Sequence, residues 1–307
     1  MGQQNVSPLG HTSTSAPKHE WKHSVWVDGT MVPPDAASTS VMSHGLHYGT
    51  GVFEGIRVYF GRPFKLRDHC LRLLKSAELL GISISYDLAS LISAAESVVN
   101  DSGLEHGYIR MVVWLGDEQL GLLASGLTSH VAVMIWEWPK IYTDENIGVS
   151  VMLSDARRPS PSTLPPQSKA TGGYLTGFHA FNTARQAGFQ DCLFLDFEGF
   201  VAEGTSANIF FVKNNTLLTP KADRFLNGIT RQTIIQCACD AGIEVVEDRI
   251  QLNQIATFDE AFFTGTAVEV APVTTLGTTE FPIGPVTKSL RSAYAALTGP
   301  AANNSAC

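Results

Sequence analysis

Residues 55–80, GIRVYFGRPFKLRDHCLRLLKSAELL, contain a change of hydrophobic period that decides the class of fold. Gly55–Phe60 and Pro63–Leu66 have the pattern of two short strands, and Gly61-Arg62 between them predicts a hairpin turn. Beyond the hairpin the apolar residues recur at helical spacing, and Gly81 is a typical helix stop. A hairpin followed directly by an amphipathic helix is typical of an α+β domain.

The same interpretation extends in both directions and gives a small N-terminal domain at residues 21–136. Asp28-Gly29 is a strong two-residue turn signal near its start. Residues 1–20 are rich in Ser, Thr, Gln and Pro and are expected to form a disordered tail. The other predicted elements are strands at 24–27, 30–32, 108–115 and 130–136, and helices at 66–80 and 88–99.

A second, larger domain is predicted at residues 148–307, after an interdomain loop at 137–147 that has no sustained pattern. Its predicted elements are strands at 148–153, 192–196, 209–212 and 260–264 and a helix at 230–241. Asn214-Asn215 predicts a turn after the third strand. No glycine pattern fits a Walker loop or a Rossmann turn, so nucleotide binding has no support in the sequence.

Composition limits the classes of function. The chain has 307 residues, 44% of them hydrophobic, which is enough for two domains with their own cores. The formal charge is −8 without a Lys/Arg cluster, which argues against nucleic acid or an anionic membrane as partner. The sequence lacks an apolar run of the ~20 residues that span a bilayer, and its first residues do not resemble a targeting signal. We therefore expect a cytoplasmic protein.

The cysteines and paired histidines indicate neither a disulfide framework nor a metal site. The five cysteines are odd in number and the chain is long, which suits a reducing compartment. Cys237 and Cys239 have no second pair or nearby histidine, so we interpret them as small core residues. His44 and His47 are three residues apart without a third ligand near them in sequence. We expect no metal ion.

Lys169 is the first candidate for chemistry. It lies in the segment QSKATGGY, residues 167–174, whose small side chains would let a planar ring approach. A lysine amine with a pKa of about 10.4 is a poor nucleophile at neutral pH, so a catalytic lysine must be desolvated or bonded to a carbonyl carbon. The alternative is a surface lysine in a glycine loop, which the spacing alone favours.

Glu203 is the second candidate. It lies between two predicted buried strands, after a turn at Glu198-Gly199 and before Ile209–Val212. A carboxylate in such a place is unfavourable unless it meets a cation. A protonated ring nitrogen of a cofactor is one such cation. The alternative is a carboxylate that caps a turn.

Two further segments suit an anion such as a phosphate. In Asn227–Arg231, Gly228 frees the backbone just before a helix, whose N-terminus presents unpaired N–H groups. Thr264–Ala267 is a similar small-residue loop after a strand. Arg67, near the start of the first helix, could add a charge-assisted contact. The alternatives are an ordinary capped helix and, for Arg67, contact with solvent.

Taken together, these segments resemble the fold-type-IV pyridoxal 5′-phosphate (PLP) enzymes, and among them the branched-chain amino acid aminotransferases. The resemblance covers the chain from about Trp21 to Gly299. The motifs that carry it are Met42–Thr50 (MSHGLHYGT), Val52–Arg57 (VFEGIR), Tyr108–Arg110 (YIR), Lys169–Tyr174 (KATGGY), Glu203-Gly204, Gly228–Arg231 (GITR) and Thr264–Glu269 (TGTAVE). It implies a small α+β N-terminal domain, a larger β-barrel-like domain with helices, and a homodimer or higher homo-oligomer whose partner subunit completes the pocket.

The resemblance also implies a role for each cofactor residue. Lys169 would hold PLP as a Schiff base and move a proton during the reaction. Glu203 would pair with the ring nitrogen, and Tyr174 would hydrogen-bond the phenolic oxygen of the ring. The remaining cofactor residues would be Leu226 against the ring face and Arg67, Ile229, Thr230 and Thr266 around the phosphate.

A transaminase of this kind binds an apolar side chain in one half-reaction and the distal carboxylate of glutamate in the other. Tyr48, Phe53 and Trp138 suit the first task. Arg110 suits the second, because its fork can bind a carboxylate through two hydrogen bonds and lie back when an aliphatic chain enters. By resemblance, the substrate pocket would further include Gly55, Tyr108, Thr266 and Ala267.

Related activities stay open at this point. An (R)-amine or D-amino-acid transaminase would need different residues around Tyr108–Arg110, and an aminodeoxychorismate lyase would eliminate pyruvate instead. A protein that only binds a small molecule is a further alternative, although folding requires neither Lys169 nor Glu203. Met111, where many branched-chain enzymes have proline, leaves the substrate breadth open. The expected partners are amino acids, with leucine, isoleucine and valine foremost, and 2-oxo acids such as 2-oxoglutarate.

Overall fold

The computed structural model describes residues 21–123, 125–139 and 147–300. The predicted disordered tail and residues 140–146 of the predicted interdomain loop lie outside them. Within the described residues the strands form two sheets, each with its own hydrophobic core.

The first sheet is entirely antiparallel. Its strands are β1 Val25–Val27, β2 Thr30–Val32, β3 Gly51–Tyr59, β4 Arg62–Pro63, β5 His106–Leu115 and β6 Ser129–Glu137. They are ordered β2-β1-β6-β5-β3-β4. Asp28 and Gly29 both have positive φ in the turn between β1 and β2, which is the conformation that an Asp-Gly hairpin requires.

Three helices accompany this sheet, namely α1 His44–Tyr48, α2 Leu66–Leu79 and α3 Leu88–Ser102. The helices α2 and α3 cover one face, where the apolar stripe predicted for α2 packs on the sheet. The sheet's contribution to this core comes from alternate strand positions, among them Val52, Ile56 and Val58 of β3 and Ile109, Met111 and Val113 of β5. The intervening residues of β3 and β5 therefore point to the opposite face.

The second hairpin turns one residue earlier than the sequence predicts. Positive φ values occur at Phe60 (51°) and Gly61 (72°), and Arg62 already belongs to β4. Lys65, also at positive φ, precedes α2, so Leu66 is helical and not the end of a strand. The prediction was wrong because it assigned the left-handed turn positions to Gly61-Arg62, whereas the chain places the bulky Phe60 there.

The second sheet closes on itself. Its strands are β7 Val149–Arg157, β8 Asp191–Leu195, β9 Val201–Gly204, β10 Asn208–Lys213, β11 Thr216–Pro220, β12 Val245–Asp248, β13 Glu260–Gly265, β14 Glu269–Leu276 and β15 Thr279–Glu280. The order is β12-β11-β10-β13-β14-β7-β8-β9, with β15 beside β14, and β9 also pairs with β10 through Glu203 and Asn208. This closure makes a barrel, so the predicted fold class is confirmed.

The remaining helices are α4 Tyr174–Gln186, α5 Ile229–Asp240 and α6 Pro285–Leu297. β7 and β8 are parallel, so the chain must cross over between them. Lys169 and α4 lie in that crossover. α5 and α6 pack together on the barrel around Phe210 and Phe262. Among the helices described, none combines the length and apolar character needed to cross a membrane.

Candidate active site

A cleft of about 850 Å³, part of it open to solvent, lies between α2 and one end of the barrel. Of the residues expected to hold the cofactor, those that line the cleft are Lys169, Tyr174, Glu203, Leu226, Ile229, Thr230 and Thr266. Segments that are far apart in sequence therefore meet at one place.

The first sheet holds the backbone of Lys169. Its N–H donates to Oγ of Ser76 in α2 (3.0 Å), and its carbonyl accepts from the N–H of Phe53 in β3 (3.1 Å). Its Nζ donates to the hydroxyl of Tyr174 at 2.7 Å. The Phe53 ring centroid is 4.9 Å from the same Nζ. The amine is thus half-buried and oriented by a hydroxyl and an aromatic ring.

Glu203 lies on β9 itself, and not in a loop between strands as the sequence suggested. Its Oε1 is 3.0 Å from Nε of Arg158, and its Oε2 accepts from Nδ2 of Asn208 at 3.2 Å. Burial raises the pKa of Glu203 and outweighs the positive charges of Arg158 and Lys169, which lower it. A buried carboxylate in this state is further stabilised by any additional cation placed beside it. A protonated ring nitrogen fits that requirement.

Asn208 connects this carboxylate to the turn before α5. Its Nδ2 also donates to the carbonyl of Leu226 (3.0 Å), and its Oδ1 accepts from the N–H of Gly228 (3.1 Å). A Cβ at position 228 would lie 2.3 Å from that Oδ1, so the close approach requires glycine. Ile229 and Thr230 follow as the first residues of α5, where backbone N–H groups have no partner within the helix.

Arg72, which sequence reasoning missed, occupies the place expected for Arg67. Arg67 is exposed and does not line the cleft, whereas Arg72 does. The two residues are five positions apart on α2, which rotates their side chains by about 140° around the helix. The assignment of Arg67 to the phosphate is therefore not supported, because its side chain leaves the helix on the wrong face.

A buried carboxylate orients Arg72. Glu54 of β3 accepts from Nε (2.6 Å) and Nη2 (2.9 Å) of Arg72 and contacts Nδ1 of His69 at 2.7 Å. Burial alone would raise the pKa of Glu54, but Arg72 and His69 together hold it well below its usual value. Nη1 of Arg72 is buried and has no hydrogen-bond partner among the described residues. That remaining donor, beside the α5 N-terminus in the same cleft, suits a phosphate.

A sequence signal for this network existed. His69, Arg72 and Ser76 recur at i, i+3 and i+7, which places three polar residues on one side of α2 beside its apolar stripe. Each of them has a partner in or next to the site: Glu54 for the first two and the N–H of Lys169 for the third.

Four of the residues predicted for the substrate, Phe53, Gly55, Tyr108 and Arg110, lie on the face of β3 and β5 that points away from the core under α2 and α3. The Arg110 guanidinium is 4.4 Å from the Phe53 ring centroid, and the Tyr108 and Trp138 rings are 5.1 Å apart. The Tyr108 hydroxyl passes over Gly55, where a Cβ would lie within 1.8 Å of it. Burial raises the pKa of Tyr108, so its hydroxyl stays a donor at neutral pH.

Arg110 and Trp138 each keep an unused donor. Nε of Arg110 and Nε1 of Trp138 are buried without hydrogen-bond partners in the part of the chain that the structure describes. The Phe53 ring contacts the Tyr174 ring, with centroids 4.7 Å apart. These residues thus form an aromatic cluster with two unused donors, and the cluster contacts Lys169 through Phe53.

Among the predicted substrate residues, Thr266 lines the cleft, whereas Phe53, Gly55, Tyr108, Arg110 and Trp138 do not. Two other predicted substrate residues lie elsewhere. Tyr48, at the end of α1, is 44% exposed and does not line the cleft, and its ring contacts His44 and His47 of the same helix. Ala267 follows Thr266 in the turn between β13 and β14, at the edge of the cleft. No group of three or more His, Cys, Asp or Glu side chains within the described ranges could hold a metal ion.

Comparison with known proteins gives one consistent result. The family model of amino-transferase class IV matches residues 51–276. A probable branched-chain-amino-acid aminotransferase of Rickettsia conorii is 44% identical over 246 residues, which cover 80% of this chain and 84% of the relative.

Two solved structures resemble this chain over most of their length. The branched-chain aminotransferase of Thermoproteus uzoniensis with norvaline has a TM-score of 0.87 at 37% identity, covering 90% of this chain and 94% of the other. The T.th. branched-chain amino acid aminotransferase complexed with N-(5′-phosphopyridoxyl)-L-glutamate has a TM-score of 0.86 at 36% identity and the same coverage. A family model that spans more than half of the sequence, supported by relatives of this similarity, shows that the chain belongs to the amino-transferase class IV family.

Proposed function

We propose that the protein is a PLP-dependent transaminase that moves the amino group between L-branched-chain amino acids and 2-oxoglutarate. The observation that carries the proposal is that three groups meet in one cleft: the amine of Lys169, the carboxylate of Glu203 and the unused Nη1 of Arg72. They supply the amine, the anion and the cation that the aldehyde, ring nitrogen and phosphate of PLP require. The names of the relatives support the choice of substrates.

When bound, PLP supplies an electron sink for the charge that develops at the substrate α-carbon. The chain's own residues do the rest. Lys169 is the attachment point and then the base that carries the α-proton, with its Nζ held by Tyr174. Glu203, backed by Arg158 and Asn208, keeps the ring nitrogen protonated. Arg72 with the amides of Ile229 and Thr230 binds the phosphate.

The aromatic cluster around Phe53 suits both halves of a transamination. Phe53, Tyr108 and Trp138 provide apolar walls for a branched side chain, and the buried guanidinium of Arg110 is available for the distal carboxylate of glutamate. Tyr108 together with the amides of Thr266 and Ala267 would hold the α-carboxylate that both substrates share.

The protein is further proposed to act as a homodimer or higher homo-oligomer in the cytoplasm. A surface patch of exposed apolar side chains supports this, formed by Leu46, Tyr48, Leu122, Leu123, Leu175 and Phe178. Its three segments adjoin one another, because His44 hydrogen-bonds the carbonyl of Gly121 (2.7 Å) and Gly49 packs against Gly172. An apolar surface of this kind favours burial against a second copy. Tyr48 within it would then reach the partner's pocket.

The two sheets are proposed to be separate domains, 21–136 and 148–307, joined by residues 137–147. Each sheet has its own core, and the cleft lies between them. Limited proteolysis followed by mass spectrometry tests this, with early cleavage expected in the joining segment; early cleavage inside either sheet would contradict it.

Lys169→Ala is expected to fold and to lose turnover of leucine with 2-oxoglutarate by several orders of magnitude, because the attachment point and the base are both removed. Reduction of the wild-type holoenzyme with borohydride, followed by peptide mass mapping, should place the cofactor on Lys169. Tyr174→Phe is the control that should keep this attachment. Near-normal turnover in Lys169→Ala would refute the assignment.

Arg72→Ala is expected to weaken PLP binding at least tenfold, the effect of losing a charge-assisted hydrogen bond of roughly 1.5–3 kcal/mol. Arg67→Ala should change the affinity less than about twofold, since its side chain is exposed. Fluorescence titration of the apoenzyme measures both variants. Pyridoxal without the phosphate is the matched ligand, and its affinity should be equal in wild type and Arg72→Ala. A larger effect at Arg67 would reverse our assignment.

Arg110→Ala is expected to impair the half-reaction with 2-oxoglutarate more than the half-reaction with leucine, since only the former needs a cation for its distal carboxylate. Single half-reactions followed by absorbance measure each side separately, with D-alanine and (R)-1-phenylethylamine as donors that test the related activities. Equal losses in both half-reactions would eliminate this role for Arg110.

Leu46→Asp is expected to shift the protein toward monomers, because a charge in an apolar interface is strongly unfavourable. Sedimentation velocity at micromolar concentration reports the assembly state. Leu252→Asp, the same change at an exposed leucine outside the surface patch, should leave the assembly unchanged. Wild-type protein that sediments as a monomer would rule out the proposed oligomer.

A further inference from the structure

Glu269 has a backbone conformation that a glutamate does not favour. Its φ is 58°, in the left-handed region where a Cβ is penalised and glycine is the usual residue. It pairs with Gly265 across the three-residue turn 266–268 that joins β13 to β14. Contacts of the side chain must therefore hold Glu269 there.

These contacts come from the first sheet. Oε1 of Glu269 accepts from the hydroxyl of Tyr59 at 2.8 Å and from Nη2 of Arg57 at 3.3 Å. Both donors are buried, and both lie on the face of β3 that carries Phe53 and Gly55. Burial, together with the nearby Tyr294 and Glu269, raises the pKa of Tyr59 far above its usual value, so the hydroxyl remains a donor.

Arg57 also contacts a third segment. Its Nη1 donates to the carbonyl of Pro139 at 3.3 Å, directly after Trp138. Across the ladder, Arg57 is opposite Tyr108 on β5. The buried guanidinium of Arg57 on β3 therefore contacts two other segments. One is Pro139, just after β6, and the other is Glu269, the first residue of β14.

The turn held in this manner carries Thr266 and Ala267. Their amides belong to the second sheet and the Tyr108 hydroxyl belongs to the first. A carboxylate can be bound by the amides and the hydroxyl together only if the two sheets hold them at a fixed distance. Donors that are fixed before binding give more affinity than donors that must be ordered by the ligand. The ion pair of Arg57 and Glu269 crosses between the sheets at this point.

We propose that Glu269, held by Arg57 and Tyr59, is a positioning residue that fixes the Thr266-Ala267 turn relative to Tyr108 and thereby sets the affinity for the substrate α-carboxylate. The inference rests on the proposed function, because it requires that this turn binds that carboxylate. It assigns a role to a residue whose side chain is hydrogen-bonded to Arg57 and Tyr59 of β3. It also gives a reason for a glutamate at a position where the backbone favours glycine.

Glu269→Gly separates the two effects, because glycine relieves the backbone conformation while the clamp to the first sheet is lost. In the holoenzyme we expect the KM for leucine and the inhibition constant of 4-methylpentanoate to rise about tenfold, the effect of one well-placed hydrogen bond. The latter has the carbon chain of leucine and a carboxylate but no amine. The value of kcat should change less than about threefold and the PLP affinity should stay at the wild-type value. The thermal midpoint is expected to fall, because Arg57 is left buried without its carboxylate.

Two conservative variants serve as controls. Glu269→Gln keeps the length and an acceptor oxygen and should restore most of the leucine affinity. Tyr59→Phe removes one donor and should raise the KM by less than Glu269→Gly, again with little change in kcat.

A merely structural role would instead reduce kcat and PLP affinity together with the leucine affinity. That result, or an unchanged leucine KM in Glu269→Gly and Tyr59→Phe, overturns the inference. Wild-type turnover separates this from a failure of the proposed function: a wild-type enzyme inactive on leucine overturns both, whereas an active one with insensitive variants overturns the inference alone.

Discussion

The alternation of β3 is the constraint on which the site depends. Even-numbered residues such as Val52 and Ile56 face the core under α2 and α3, and odd-numbered residues face the barrel. Along the odd face, Phe53 lies beneath the amine of Lys169, Gly55 makes room for a tyrosine hydroxyl, and Arg57 and Tyr59 reach across to the second sheet. Since the side-chain period of a strand is two, a shift of one residue would exchange the core with the catalytic face. The stability of the small core therefore maintains the register of the site.

Three carboxylate–arginine pairs with little exposure to solvent lie in or near the site: Glu54 with Arg72, Glu203 with Arg158, and Glu269 with Arg57. Buried ion pairs are weak sources of stability, because desolvation offsets most of their attraction. Their value here is geometric. The pair at Glu54 orients the Arg72 guanidinium so that one nitrogen is left for an anion. At Glu203, burial disfavours the charged carboxylate, and an additional cation beside it would stabilise the charged form. Each pair also joins segments that are distant in sequence, so the charges orient the site more than they hold the fold.

Much of this structure could be predicted from local pattern. The Asp28-Gly29 turn, the helix after Leu66 and the strands at β5, β6, β10 and β13 all have clear periods or turn residues, and the two-part fold class is confirmed. The helix α4 was missed because its pattern is inverted: Gly177, Ala180 and Ala184 are buried, while Leu175 and Phe178 are exposed. Such a helix lacks the apolar stripe that sequence reasoning seeks.

Lys169, Tyr174, Glu203 and the GITR segment could be located from the sequence because small residues and motifs mark them. Arg72 could not be separated from Arg67 by charge or spacing alone, since the difference depends on which face of α2 meets the barrel. Asn208 was likewise hidden, because its three partners come from β9 and from residues 226 and 228, which are near it only after the barrel closes. A local sequence pattern does not indicate hydrogen-bond partners that are distant in sequence.

The crossover between β7 and β8 has a consequence for the order in which the molecule is assembled. The lysine is encoded within the barrel half, yet its main-chain partners, Ser76 and Phe53, belong to the other half. Neither half alone can give the amine this orientation, so the proposed attachment of a cofactor to Lys169 in this geometry requires that the two halves have docked. Under the proposed function, attachment of the cofactor in this geometry would therefore indicate that both sheets have folded and docked.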